Sequence, residues 1–315
     1  MTSDSSASSR KTVDVVCVAS WNADLVSHVA RPLARGETLM ASAFSISPGG
    51  KGSNAAVAAA RQGARVALIA RIGDDEFGRM GLALWHGEGI ATGHVECAPG
   101  ERSGVAQILV YADGDNSIAV YPGAGAGLGA QQVQAAGALL AGCRVVMASC
   151  EVPIEAALQA FQMAHGSAGK ALTILNPAPA RPLPDELLAR VDVLTPNESE
   201  LFQLAGAAHA GSIDAAAAQL LTRGVGAVLV TLGAAGCRLY QRDQAPVEVA
   251  GRAMAVRDTV GAGDTFTGAL AAALARGEAL AGAMQWANAA AALSVTRAGA
   301  IEGIPTLAAV AALLT

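Results

Sequence analysis

Near the C-terminus, the run Asp258-Thr259-Val260-Gly261-Ala262-Gly263-Asp264 sets two carboxylates around small residues at the start of an apolar stretch. Small residues let a backbone approach a ligand closely, and a helix start offers unpaired N–H groups and positive dipole. The arrangement suits a transferring phosphoryl group with Asp264 as a base beside it. The plain alternative is a glycine turn capped by Asp264, since Asp is a favoured N-cap. A bare cap needs neither the dense glycines nor Asp258.

A second candidate is Pro48-Gly49-Gly50-Lys51-Gly52-Ser53-Asn54, which also leads into a helical stretch. Its glycines allow close backbone approach, with Lys51 and Asn54 as polar arms. It is not a Walker A loop, because GxxxxGK[ST] is absent from the chain. A Gly-rich turn with an exposed lysine is the other reading. The third candidate is Asn22-Ala23-Asp24, directly after the first strand. Polar groups outside the carboxyl end of a parallel strand are where ligands of open α/β sheets bind, and they are also ordinary turn residues. Gly125-Ala-Gly127-Leu-Gly-Ala130 fits the weak GxGxxG/A dinucleotide pattern. It sits mid-chain after a hairpin and does not open a βαβ unit, which argues against a dinucleotide site.

Behind these motifs, short β-branched runs alternate with Ala/Leu-rich helical stretches. Val13–Ala19, Val66–Ala70, Val145–Ala148, Leu172–Leu175, Val191–Leu194 and Ala227–Leu232 read as strands. Ala55–Gln62, Gln131–Leu140, Ile154–Ala164, Ala215–Leu221, Asp264–Ala275 and Ala281–Val295 read as helices. The alternation predicts an α/β fold with a mostly parallel sheet covered by helices on both faces. Leu33–Ile46 and Val105–Tyr121 lack a helical period. The second reads as a hairpin turning at Asp113-Gly114-Asp115-Asn116. Together they suit a small projecting sheet, either a lid or an ordinary edge hairpin.

The chain has 315 residues and is 52% hydrophobic, enough for one large domain with an appendage. Aromatics are only 3%, so Ala, Val and Leu must fill the core. A net charge of −5 argues against a nucleic-acid partner. The five scattered cysteines form no CxxC pair and read as reduced thiols of a cytosolic protein. Residues 2–11 are polar and Ser-rich and read as a disordered tail before a domain over 13–315. No signal peptide or membrane-spanning run is expected.

GGKGSN, TPNESE (Thr195–Glu200), TLGAAG (Thr231–Gly236) and DTVGAGDTFTGAL occur in the order typical of the ribokinase family, the phosphofructokinase-B type of carbohydrate kinases. The run Leu175-Asn-Pro-Ala-Pro-Ala180 resembles the same family, and the likeness extends from about Val13 to the end. It implies a Rossmann-like domain with a small β-sheet lid, about 33–47 and 104–122, through which a homodimer forms. It implies transfer of a phosphoryl group from ATP to the primary hydroxyl of ribose, with another sugar or a nucleoside as the alternative acceptor. Asp264 matches the family's catalytic base, and the backbone of Gly261, Ala262 and Gly263 its anion hole. Asn22, Asp24, Gly50, Lys51, Gly52, Asn54 and Glu151 match sugar-binding positions. Asn197, Thr231, Leu232, Gly233, Ala234, Ala235, Gly236, Gly263 and Asn288 match positions that hold ATP. Glu200 matches the residue that organises Mg2+ through water. Asp258, Val260, Ser294, Arg297, Gly299 and Gly303 fall on positions lining a site for K+.

Four residues depart from the family pattern. Trp21 stands where a smaller aliphatic residue is usual, so it is expected to reshape the sugar pocket. Gly303 replaces a Ser at the cation site, Asn288 a His beside adenine, and Gly125 an Asn near the lid.

Overall fold

The computed structural model describes residues 13–166, 170–206 and 211–315. The tail reading of residues 2–11 lies outside them. The strands are β1 (Val15–Val18), β2 (Asn22–His28), β3 (Ala43–Gly49), β4 (Val66–Gly73), β5 (Ala91–Ala98), β6 (Gly104–Val110) and β7 (Asn116–Tyr121). Then come β8 (Val145–Ser149), β9 (Leu172–Asn176), β10 (Val193–Leu194), β11 (Ala227–Thr231), β12 (Gly236–Gln241) and β13 (Val247–Ala250). The helices are α1 (Lys51–Arg61), α2 (Glu76–Gly87), α3 (Ala130–Ala135), α4 (Gly137–Gly142), α5 (Ile154–Gly166) and α6 (Asp185–Leu188). They continue with α7 (Glu198–Ala205), α8 (Ile213–Thr222), α9 (Ala262–Ala275), α10 (Leu280–Ser294) and α11 (Leu307–Leu314).

Among the described residues, nine strands form one sheet in the order β13-β12-β11-β10-β9-β8-β1-β4-β5. Every pairing from β11 to β5 is parallel, and β12 pairs antiparallel with both β11 and β13. Strand order reverses at β1, which lies between β4 and β8. Ligands of open α/β sheets bind outside the carboxyl ends of strands at such a reversal. The fold is thus the α/β sandwich that the alternation of strands and helices predicts.

The period-2 alternation of β1 shows the two buried faces. Val15, Cys17 and Ala19 belong to a core shared with α1, α9 and α10. Val16 and Val18 belong to a second core shared with α3, α4, α5, α7 and α8. Small residues do the packing, as the scarcity of aromatics requires. At Gly268 of α9, an added Cβ would stand 2.1 Å from the carbonyl oxygen of Ala55 in α1. The two helices therefore touch backbone to backbone, and their first turns arrive side by side.

A second, four-stranded sheet has the order β3-β2-β6-β7. It includes the expected hairpin, with β6 and β7 antiparallel. It also corrects one expectation: Asn22-Ala23-Asp24 is the start of strand β2, not a turn. Asn22 pairs with Gly49 on one side and Gly104 on the other. Those long-range ladders override the turn preference of Asn and Asp, as tertiary pairing commonly overrides local propensity. Residues 33–42 hold no strand; only their end, from Ala43, joins the sheet. Two further boundaries differ: α1 begins at Lys51, four residues before Ala55, and the helix expected over 131–140 is split at Ala136. The GxGxxG/A decoy begins in the 3-10 turn Gly123–Gly127, which follows the antiparallel strand β7 and therefore does not open a parallel βαβ unit.

Because Gly268 is what lets α1 and α9 touch, Gly268→Ala is expected to destabilise the protein by about 1–3 kcal/mol, the usual cost of overpacking. A urea-unfolding midpoint equal to that of the wild type would show that the helices can part freely.

Candidate active site

The first turns of α1 and α9 meet beyond the carboxyl ends of β1, β8 and β9. Gly261 caps α9 with a left-handed backbone (φ 75°), so Asp264, three residues on, does not serve as the cap. Its carboxylate turns to α1 instead. Asn54 Nδ2 donates to Asp264 Oδ2 at 2.9 Å, and Asn176 Nδ2, at the end of β9, donates weakly to Oδ1 at 3.4 Å. Both Asn54 and Asp264 are 5% exposed. Asn54 Oδ1 is buried and has no hydrogen-bond partner. An unpaired buried acceptor costs about 1–3 kcal/mol, which a donor on a bound molecule would recover.

Opposite Asp264, the Gly50 and Gly52 turn presses against the end of β1. Gly50 holds φ 90°, and a Cβ there would meet Ser20 O at 2.8 Å. A Cβ on Gly52 would meet Ala19 Cα at 2.6 Å. Only glycine allows this approach. It brings the N–H of Lys51 to within 2.9 Å of Glu151 Oε2, just after β8. On β2, the Asp24 carboxylate lies against the backbone of Gly49, and the Asn22 Oδ1 against Gly104; a Cβ at either glycine would overlap them.

Among the described residues, the acids here share one cation, Lys51. Burial raises the Asp264 carboxyl to about 6, although Lys51 and the bond from Asn54 pull the other way. Glu151 and Glu200 add to the rise. Burial likewise lifts Asp24 to about 7, helped by Glu151 and Asp264 and opposed by Lys51. Asp264 in turn is the main reason the Lys51 ammonium is held above its ordinary value. Near neutral pH the geometry therefore presents an ionised, poorly solvated carboxylate beside a firmly charged lysine. This is the environment in which a carboxylate can take a proton.

A cleft of about 200 Å3 joins these groups to a second cluster. Lys51, Asn176, Asp264 and the Gly261–Gly263 turn line one side, and Thr195, Asn197, Glu200 and Thr231 the other. A larger groove, about 510 Å3, lies between the small sheet and the start of α2. Asp75 in its lining is already bonded to Gly78 and Ser103, so the role of that carboxylate is structural.

A model of the "pfkB family carbohydrate kinase" matches residues 13–307. The chain belongs to the pfkB family of carbohydrate kinases. Within the family it is 38% identical to a ribokinase of Haemophilus influenzae over 94% of this chain and 96% of the relative. It is 36% identical to a deoxyribokinase of Salmonella typhi over 94% and 96%. Its fold is similar to that of the Arabidopsis thaliana ribokinase complexed with ribose and ATP, with TM-score 0.88 and 30% identity over 96% and 99% of the two chains. A Thermotoga maritima ribokinase aligns with TM-score 0.86 and 31% identity over 96% and 99%.

In this pfkB kinase, the expected sugar-side residues Asn22, Asp24, Lys51, Asn54, Glu151 and Asp264 converge. The nucleotide-side residues form a neighbouring group. Asn197 and Glu200 cap α7 reciprocally: Asn197 Oδ1 accepts from Glu200 N at 2.8 Å, and Glu200 Oε2 from Asn197 N at 2.9 Å. Asn197 also bridges to Thr231, and Leu232 leads into the turn Gly233–Ala235 that ends at Gly236. Asn288 of α10 donates to Ala250 O at 3.0 Å, tying α10 to β13.

The expected cation residues also gather. Asp258 Oδ1 accepts from Val260 N at 3.0 Å and Oδ2 from Gly299 N at 2.8 Å, so one carboxylate joins the two loops. The carbonyl oxygens of Ser294 and Gly299 lie 2.6 and 2.9 Å from where a Cβ on Gly303 would stand. Arg297 is exposed.

Trp21 does not shape the pocket. It is 3% exposed, donates from Nε1 to Phe77 O at 3.1 Å, and packs edge-on against Trp85 with ring centroids 5.4 Å apart. Gly81 of α2 makes room for the ring. Four polar residues of the site were not foreseen: Ser20, Asn176, Thr195 and Thr259. Asn176 sits in the Asn-Pro-Ala-Pro run, Thr195 opens TPNESE and Thr259 lies inside DTVGAGD, so only Ser20 carried no signal.

Asp264→Asn should remove the proton acceptor and lower kcat by ~10²–10⁴-fold. In the wild type, kcat/KM should rise with pH through about 6, where Asp264 loses its proton, and level off above. The native state holds this proton more tightly than the unfolded chain does between the ordinary carboxylate value of 3.8 and about 6. Its contribution to stability therefore falls as pH rises through that window. At pH 7–8 the Asn variant should melt no lower than the wild type, while being inactive. A melting point well below wild type would assign Asp264 a structural role.

Proposed function

We propose that this protein transfers the γ-phosphoryl group of ATP to the primary hydroxyl of D-ribose, giving ribose 5-phosphate and ADP. The observation that carries it is the buried Asp264 carboxylate at the start of α9, bonded to Asn54 and within electrostatic reach of Lys51 and Glu151. The likeness to ribokinases over nearly the whole chain supports ribose as the acceptor.

Phosphoryl transfer asks a protein mainly for positioning and charge stabilisation. Asn22, Asp24, Lys51, Asn54 and Glu151 fix the sugar through directed hydrogen bonds, with the backbone of Gly50 and Gly52 alongside. Asp264 takes the proton of the attacking hydroxyl. The N–H groups of Gly261, Ala262 and Gly263 stabilise charge on the transferred group. Asn197, the Thr231–Gly236 turn and Asn288 hold the nucleotide. Asn54 Oδ1, an acceptor without a partner, suits a hydroxyl donor on the bound sugar.

Among the described residues, no three His, Cys, Asp or Glu side chains form a metal-ligand group. Mg2+ would be carried by phosphate oxygens and water, with Glu200 a carboxylate on the cleft wall beside Asn197. When bound, Mg2+ neutralises phosphate charge that an acidic site would otherwise repel. The oxygen donors converging at Ser294, Gly299 and Asp258 fit a hard monovalent cation such as K+, held with Val260, Arg297 and Gly303 around it.

The small sheet serves as a lid and as the seat of a homodimer. Directly paired strand residues share a face. Val120 pairs with Ala106 and Ala106 with Asp24, so Val120 shares the face of the site residue Asp24. Ile118 pairs with Ile108 and Ile108 with Val26 on that same face. Ile118 and Val120 are 57% and 54% exposed, an apolar surface that a second copy would cover. No helix of the described residues is long and apolar enough to cross a membrane. We further propose a cytoplasmic setting, consistent with five cysteines that form no disulfide with one another.

The assignment is tested with purified protein, ATP, and a panel of ribose, 2-deoxyribose, fructose and adenosine. Ribose is expected to be phosphorylated with the highest kcat/KM. The 36% identity to a deoxyribokinase makes 2-deoxyribose the competitor to beat. Turnover of another acceptor with ribose inert would overturn the assignment. In sedimentation, wild type should run as a dimer and Ile118→Asp with Val120→Asp as a monomer; a monomeric wild type would contradict the lid interface.

A further inference from the structure

Ser20 stands between β1 and β2, where the strand order of the large sheet reverses, and is 8% exposed. Its hydroxyl meets two groups of the cleft at once. Gly52 N, in the first turn of α1, donates to Ser20 Oγ at 3.0 Å. Ser20 Oγ lies 2.7 Å from Glu151 Oε2. A backbone N–H can only donate, and an ionised carboxylate can only accept. The hydroxyl proton must therefore point at Glu151. The rest of Ser20 is equally fixed, since its carbonyl accepts from Ser53 N at 3.1 Å and the Gly50 and Gly52 backbones press on it.

Glu151 Oε2 thus accepts two hydrogen bonds, from Ser20 Oγ and from Lys51 N at 2.9 Å. Both donors belong to, or are braced by, the start of α1. With one carboxylate oxygen held twice, the carboxyl plane cannot turn, and Oε1 is left for the acceptor sugar. We infer that Ser20 is a positioning residue for sugar recognition, a hydroxyl relay that orients Glu151 toward the acceptor and carries no proton in the reaction. This rests on the reading of Glu151 as a sugar ligand.

The relay separates from general support of α1 by its kinetics. Loosening α1 would also move Asn54 away from Asp264 and lower kcat. Loss of the relay alone would let Glu151 swing and weaken sugar binding. Ser20→Ala is expected to raise the KM for the acceptor sugar ~10-fold, the size expected when a hydrogen bond to a charged group is lost. The KM for ATP should stay within about twofold and kcat within about threefold.

A double-mutant cycle decides the route. If Ser20 acts through Glu151, then Ser20→Ala added to Glu151→Gln should raise the sugar KM little beyond Glu151→Gln alone. Ser20→Gly, which adds no volume, should reproduce the shift seen with Ala. Independent multiplication of the two KM effects, an unchanged sugar KM, or a loss confined to kcat would each overturn the relay. The cycle is run on the acceptor that the wild-type panel selects. Inert ribose would therefore count against the ribose assignment alone, while the coupling of Ser20 to Glu151 is still read directly.

Discussion

The contact between α1 and α9 is the constraint on which the rest of the site depends. Gly268 lets the backbones of the two helices meet, and the Asn54–Asp264 hydrogen bond forms where their first turns converge. α1 is held at its other end as well. Arg61 donates to the carbonyls of Ile301 and Ile304 at 2.7 and 3.0 Å and pairs with Glu88, and Gln62 donates to Pro305 O at 2.8 Å. One rigid helix therefore spans from the sugar side of the cleft to the loop that follows Gly303. Rigid elements place catalytic groups more accurately than loops do.

Electrostatics sets what this scaffold can do. Asp24, Glu151, Glu200 and Asp264 all act electrostatically on the cation Lys51. Burial is the largest influence on both Asp24 and Asp264, and in each it outweighs the pull of Lys51. Asp24, at about 7, is near the midpoint of its titration at neutral pH, whereas Asp264, at about 6, is mostly ionised. Both aspartates are thereby raised toward the range in which a carboxylate can take a proton near neutral pH. A site this acidic would repel phosphate oxygens, and a divalent cation would offset that repulsion.

Much of the fold and of the site was legible in the sequence because glycine reports on space. Gly50, Gly52 and Gly261 mark places where a side chain cannot be, and each lies where backbone meets backbone or bends left-handed. The alternation of β-branched and Ala-rich runs gave the parallel sheet for a similar reason, since burial on both faces leaves a local pattern. What was not legible depends on distant partners. Asn22–Asp24 became a strand because 43–49 and 104–110 pair with it. Trp21 turned into the core because Gly81 and Trp85, some sixty residues on, leave a slot for it. Ser20 is a single hydroxyl after a strand, and nothing beside it in the chain distinguishes it from a turn residue.

The central claim is that Asp264 receives the proton of the sugar hydroxyl that attacks phosphorus. A crystal structure of the full chain with ribose and a non-hydrolysable ATP analogue tests it most directly. The account predicts the primary hydroxyl of ribose within ~2.6–3.2 Å of an Asp264 carboxylate oxygen, the reach of a general base, with the γ-phosphoryl group over the Gly261–Gly263 turn. A sugar bound with that hydroxyl turned away from Asp264, toward Asp24 or solvent, would contradict it.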